Sequence, residues 1–254
     1  MSVETVLTAE PNGVAIAYRD SAPSARAHPV PVVLVHGMGG DSRTWDRFAR
    51  TLVTAGRRVV AIDLRGHGRS ARAGSYLFGE FAADITGLCD HLNLDTVDLV
   101  GHSLGGRTGS LIAQDRPDLV HRLVLEESPL PLRAGDPVPE IPSRRPTVAE
   151  LWHATSSLVR NPRATIAFDR SMTASAIEQF RTPDPRWWQR LPDLAAPTLF
   201  LRGARPGSMV DPHLLAEAAA ALPNCTLRDI ACGHSIHRDR FRDFEAAVLP
   251  FLMD

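Results

Sequence analysis

Val97-Asp98-Leu99-Val100-Gly101-His102-Ser103-Leu104-Gly105-Gly106 decides how the rest of the chain is read. Apolar residues at 97, 99 and 100 run into Gly101, and one serine stands between glycines before a helix-like segment begins. This is a G-x-S-x-G pattern, in which a strand turns sharply into a helix and presents a serine hydroxyl at the bend. Gly101 and Gly105 flank the serine because side chains there would clash across so tight a turn. Five loosely defined positions also recur by chance, so the pattern alone fits a glycine-bounded loop equally well. What surrounds it decides.

At 254 residues the chain is long enough for one α/β domain carrying an insertion. A formal net charge of −1 gives no basic face for nucleic acid or an anionic membrane. All 28 basic residues are arginine. The lack of lysine removes Schiff-base catalysis, a pyridoxal-phosphate anchor and the Walker lysine. No basic-then-apolar leader pattern opens the chain, and no apolar run reaches transmembrane length. Cys89, Cys225 and Cys232 are odd in number and lack metal-ligand spacing, which fits a reduced, cytoplasmic chain. The expectations are a small-molecule substrate, no cofactor, no metal, no nucleic acid and no membrane. Oligomeric state is not legible.

Working outward from the elbow, Val3–Ala9 and Val14–Tyr18 read as a hairpin around Pro11-Asn12-Gly13. Val32–Val35 and Val59–Ile62 are continuous apolar runs, as expected of parallel strands covered on both faces. Asp41-Ser42 can cap a helix over Thr44–Ala55 with Trp45, Phe48, Leu52 and Val53 on one face. Further helices are expected over Phe81–Leu92, behind Ser103 to Gln114, over His213–Ala221 and over Arg242–Leu252. Leu123–Leu125, Thr198–Leu201 and Thr226–Ile230 read as further strands. Strands alternating with helices imply a doubly wound, mostly parallel α/β sheet. Between Pro129 and Pro192 the chain turns proline-rich and then aromatic, with Trp152, Phe168, Phe180, Trp187 and Trp188. We therefore expect a core domain over 1–128 and 193–254, with 129–192 inserted as a small helical lid.

Four motifs now fall in order, each just past an expected strand. They are His36-Gly37-Met38-Gly39-Gly40, then Asp63-x-Arg65-Gly66-His67-Gly68-x-Ser70, then Gly101-His102-Ser103-Leu104-Gly105, and a late Cys232-Gly233-His234. Together they resemble the α/β-hydrolase fold superfamily over nearly the whole chain outside the lid. That resemblance implies a triad in the order Ser…acid…His, with Ser103 as nucleophile and His234 as its base. It also implies an oxyanion hole from the backbone N–H groups of Met38 and Leu104. His237 is a second base candidate, but its arginine-rich surroundings point to the surface. His36, His67 and His102 read as loop-holding residues. His36, Gly37, His102, Trp152, Trp187 and Trp188 are the candidates for lining a substrate site, the tryptophans equally fitting a lid core.

The acid departs from the common pattern of the family. After the Thr198–Leu201 strand the expected carboxylate position holds Gly207 or Ser208, and the nearest acid is Asp211, followed by Pro212 as in a helix cap. Some similar enzymes, among them zearalenone-type lactonases and certain haloalkane dehalogenases, carry the acid after the preceding strand instead. By that resemblance Glu127 takes the acid's place. Glu126 faces the other way along the strand and ranks second; Asp211 ranks third.

A serine at 103 disfavours the dehalogenase and epoxide-hydrolase chemistries of this fold, which use an aspartate nucleophile. What remains is acyl chemistry on a carboxylic ester, lactone or thioester of a small to medium hydrophobic substrate. C–C bond hydrolysis, cofactor-free haloperoxidation, hydroxynitrile lysis and proline iminopeptidase activity use the same triad, and a non-catalytic receptor can use the same scaffold. Glu140, Glu150 and Glu178 are too scattered to mark a site for a substrate amine.

Overall fold

A computed structural model describes residues 5–23, 28–136, 159 and 167–254. Strands β1 (Val6–Ala9) and β2 (Ile16–Ser21) pair antiparallel around the turn at Asn12-Gly13. Six more strands follow: β3 (Val32–Val35), β4 (Val59–Ile62), β5 (Val97–His102), β6 (Val120–Glu126), β7 (Thr198–Gly203) and β8 (Cys225–Ile230). They make one sheet in the order β1-β2-β4-β3-β5-β6-β7-β8. Beyond the antiparallel β1–β2 and β2–β4 pairs every pairing is parallel.

The alternation of side chains along each strand divides the core in two. Val33, Val35, Leu99, Leu123 and Phe200 face one layer. It is covered by α2 (Phe78–His91), α3 (Leu104–Asp115), α4 (Met172–Arg181), α5 (Pro185–Gln189) and α6 (Pro212–Ala221). Val32, Leu34, Val100, Val124 and Leu201 face the other. There α1 (Asp46–Thr54), the short α7 (Ile236–Asp239) and α8 (Phe241–Met253) supply Phe48, Leu52, Ile236, Phe244 and Val248. Burial on both faces explains why the central strands read as unbroken apolar runs.

Strand β2 runs on to Ser21 and β6 opens at Val120, beyond the expected ranges, and two helix starts also move. The helix expected from Thr44 opens as a 3-10 turn over Ser42–Trp45, capped by Asp41, whose carboxylate accepts from Arg43 N at 3.0 Å. Helix α2 starts at Phe78, because Glu80 reaches back to accept from Leu77 N at 2.8 Å. Arg65 of the second motif forks onto Asp84 of that helix, at 2.6 and 2.8 Å. The pair is buried and ties the motif's loop to α2.

Of the segment expected to form a lid, 129–136 and 167–192 are described along with Val159. Phe180 of α4 lies against Phe78, ring centroids 4.7 Å apart, and Trp187 of α5 is buried against α3. Trp152 lies outside the described residues.

Candidate active site

Ser103 joins β5 to α3 with φ 52° and ψ −115°, a conformation L-residues avoid. The bend brings backbones so close that a Cβ on Gly101 would stand 2.4 Å from Gly105 O, and one on Gly105 would stand 2.4 Å from Val35 O. Only glycine permits both approaches. Ser103 N donates to Glu126 O at 2.9 Å, tying the elbow to β6.

The loop after β3 lies against this elbow: a Cβ on Gly37 would meet the Ser103 Cβ at 3.0 Å. Two histidines set its shape. His36 Nδ1 donates to Gly37 O at 2.8 Å while its Nε2 accepts from Leu64 N at 3.1 Å. Gly37 O and Met38 N–H lie on opposite sides of one planar trans peptide, so holding the oxygen aims the N–H away from His36. His67 Nε2 accepts from Gly39 N at 3.1 Å, and its Nδ1 donates to Arg65 O at 2.9 Å. Burial, then the neighbouring His36, pushes the His67 pKa down to about 3, and burial lowers that of His36. Both rings are therefore neutral, as donating through one nitrogen and accepting through the other requires. The N–H groups of Met38 and of Leu104, the first residue of α3, have no intrachain acceptor among the described residues.

The chain turns at Glu127 with φ 46°, directly after β6. The turn sends its fully buried carboxylate toward β7 and the late histidine loop. Oε1 accepts from Gly203 N at 2.6 Å and Ser208 Oγ at 2.7 Å; Oε2 accepts from Met209 N at 2.8 Å and faces His234 Nδ1 at 3.3 Å. The His234 side chain is one-fifth exposed, and His102 Nε2 donates to its carbonyl oxygen at 2.8 Å. Burial, then the charges His234 and His237 would carry, hold the His102 pKa well below the usual histidine range. Glu127 and His234 are thus brought together beside the elbow.

Other candidates lie elsewhere. Asp211 caps α6, accepting from His213 N at 2.8 Å and Leu214 N at 3.0 Å. Glu126 faces away from His234 and is bound to His237, at 2.7 Å from Oε2 to Nδ1. The surface position expected for His237 is wrong: its ring is buried and stacked on Trp45, centroids 4.2 Å apart. His36 cannot line a substrate site, since it is fully buried with both nitrogens engaged. Trp187 is likewise core, 3% exposed, its Nε1 donating to Ser110 Oγ at 3.0 Å. Trp188 is half-buried and donates to Pro131 O at 2.8 Å. His102 bridges Gly37 and His234. Among the described residues no group of three or more His, Cys, Asp or Glu is arranged to hold a metal, and no helix is long and apolar enough to cross a membrane.

The family model described as alpha/beta hydrolase fold matches residues 30–179. The sn-1-specific diacylglycerol lipase ABHD11 of Mus musculus is 28% identical over 247 residues, covering 87% of this chain and 80% of that protein. The magnesium-chelatase 30 kDa subunit of Rhodobacter capsulatus is 29% identical over 275 residues, covering 92% and 95%. Among solved structures, the enol-lactonase from Burkholderia xenovorans LB400 superposes with a TM-score of 0.79 at 24% identity, covering 98% of this chain and 100% of that one; it shows the fold.

Proposed function

The chain belongs to the alpha/beta hydrolase fold family, and from that premise we propose that it cleaves a carboxylic ester, lactone or thioester through an acyl-enzyme on Ser103. It is an enzyme of the serine-hydrolase type acting on esters; the bond class, the intermediate and the residue roles are our reading. One observation carries it: a serine held at positive φ on the strand-to-helix bend, beside a histidine whose Nδ1 faces a buried carboxylate.

In this mechanism Ser103 Oγ attacks the substrate carbonyl as His234 Nε2 takes its proton. Glu127 keeps the remaining proton on Nδ1 and stabilises the imidazolium that forms. The tetrahedral oxyanion is held by Met38 N–H and Leu104 N–H. Collapse expels the alcohol or thiol, protonated by His234, and water activated by the same ring hydrolyses the acyl-enzyme. Three donors already hold the Glu127 carboxylate, so it needs no reorganisation when the ring becomes charged.

We read residues 129–192 as a lid and the substrate as small to medium and hydrophobic. Met38 and Met209 support the second point, since both are exposed while their backbones belong to the site. The same reading takes no cofactor and a cytoplasmic setting; Cys89, Cys225 and Cys232 are free. The test is pre-steady-state hydrolysis of p-nitrophenyl acetate. A burst stoichiometric with enzyme, lost in Ser103→Ala, supports the reading; turnover that survives Ser103→Ala overturns it.

A further inference from the structure

The two consecutive glutamates at the end of β6 hold the two ends of one four-residue turn. Glu127 faces the ring of His234, and Glu126 holds His237. The second attachment is the more complete. Glu126 Oε1 accepts from His237 N at 2.8 Å, and its carboxylate accepts from Nδ1 at 2.7 Å to Oε2 and 2.9 Å to Oε1. The far nitrogen of the same ring, Nε2, meets Thr44 Oγ1 at 2.7 Å. Trp45 stacks on the ring, and Phe244 meets it edge-on at 6.1 Å between centroids. Both Glu126 and His237 are buried.

His234, by contrast, has a partly exposed ring that meets the Glu127 carboxylate at 3.3 Å and the His102 ring at 4.7 Å between centroids. Those contacts cover one side of the ring, so where it stands depends also on the turn that carries it. The turn is tied to the elbow at one end through His102 and to β6 at the other through Glu126. A carboxylate that binds both the backbone N–H and the ring of one residue sets that residue's position and orientation together.

We propose that Glu126 and His237, steadied by Thr44, are positioning residues that set the register of the His234 turn, and with it the reach of His234 toward Ser103. This rests on the role given to Ser103 and His234 above. A misplacement of about 1 Å can cost roughly 100-fold in rate, and a base that makes no binding contact leaves KM in place when it moves. The signature is therefore a kcat loss at constant KM, a split that lost packing alone does not produce.

The experiment compares wild type, Glu126→Gln, His237→Gln, His237→Asn and Thr44→Val. The readings are the burst rate and KM with p-nitrophenyl acetate, and the folded fraction from thermal melting. Glu126→Gln and His237→Gln are expected to lose about 10- to 100-fold in burst rate per folded molecule, with KM within about twofold. His237→Asn retains an N–H donor where Nδ1 stands and is expected to recover most of the rate. Thr44→Val keeps the Glu126–His237 pair and provides a milder variant should the others not fold; its burst is expected to slow several-fold. A wild-type burst that survives at full rate in folded Glu126→Gln, or in Thr44→Val if that variant alone folds, overturns this assignment alone. Turnover in the wild type that survives Ser103→Ala overturns the acyl-enzyme reading, and this assignment with it.

Discussion

His234 Nδ1 stands 3.3 Å from Glu127 Oε2, and the other partners of that carboxylate come from β7 and the loop beyond it. Glu127 therefore leaves β6 yet is held from the neighbouring strand and the loop after it. Glu127→Gln replaces one acceptor oxygen with a donor among groups that already donate, and allows His234 its other tautomer. A loss of about 10³- to 10⁴-fold in kcat is expected. Asp211→Asn, which keeps an oxygen for the α6 cap, is expected to stay within about twofold. Steady-state kinetics on an activated ester compares the two, and a silent Glu127→Gln beside a crippled Asp211→Asn would reverse the assignment.

Ser103 occupies a backbone conformation that only glycine adopts without strain. Ser103→Gly is therefore expected to be about 1 kcal/mol more stable than Ser103→Ala. Urea unfolding of the two variants measures the difference. Equal midpoints would mean that the bend carries no strain.

The buried histidines make stability depend on pH in one direction. His36, His67 and His102 all have pKa values lowered by burial, that of His67 to about 3. Below pH 6.5 the unfolded chain binds protons that the folded chain refuses, so stability falls as pH drops. The slope approaches about 1.4 kcal/mol per pH unit for each such histidine. For His67 the loss continues until pH nears 3. His67→Asn removes one of these protons and is expected to flatten the slope between pH 6 and 4 by that amount. Denaturant titrations across this range give the slope directly.

Trp187 separates core from substrate wall. Trp187→Phe loses the bond to Ser110 Oγ and is expected to destabilise by about 1 kcal/mol with KM unchanged. A shift in KM without a stability change would return Trp187 to the substrate site.

The strands were legible because most are buried on both faces and bounded by glycine or proline punctuation. Helix α2 began earlier than read because Glu80, with no Ser, Thr or Asp at the boundary, satisfies the Leu77 N–H. Ser103, His234 and Glu127 are read from their places past strand ends in a recognisable order, and the structure sets the His234 ring 3.3 Å from Glu127. His237 was misread because Arg238 and Arg240 sit beside it in sequence, whereas the short α7 turns it inward to Glu126. Nothing local to residue 237 records a partner 111 residues away. Trp187 and Trp188 were indistinguishable as adjacent letters; a helix separates their directions, one onto Ser110 and the other onto Pro131.

The reactivity of the Ser103 hydroxyl is read by covalent labelling. Native protein treated with a fluorophosphonate and digested for mass spectrometry is expected to carry one adduct, on Ser103, and His234→Ala is expected to label at least about 100-fold more slowly. An adduct on another residue, or labelling of Ser103 that proceeds at the same rate without His234, would contradict the account.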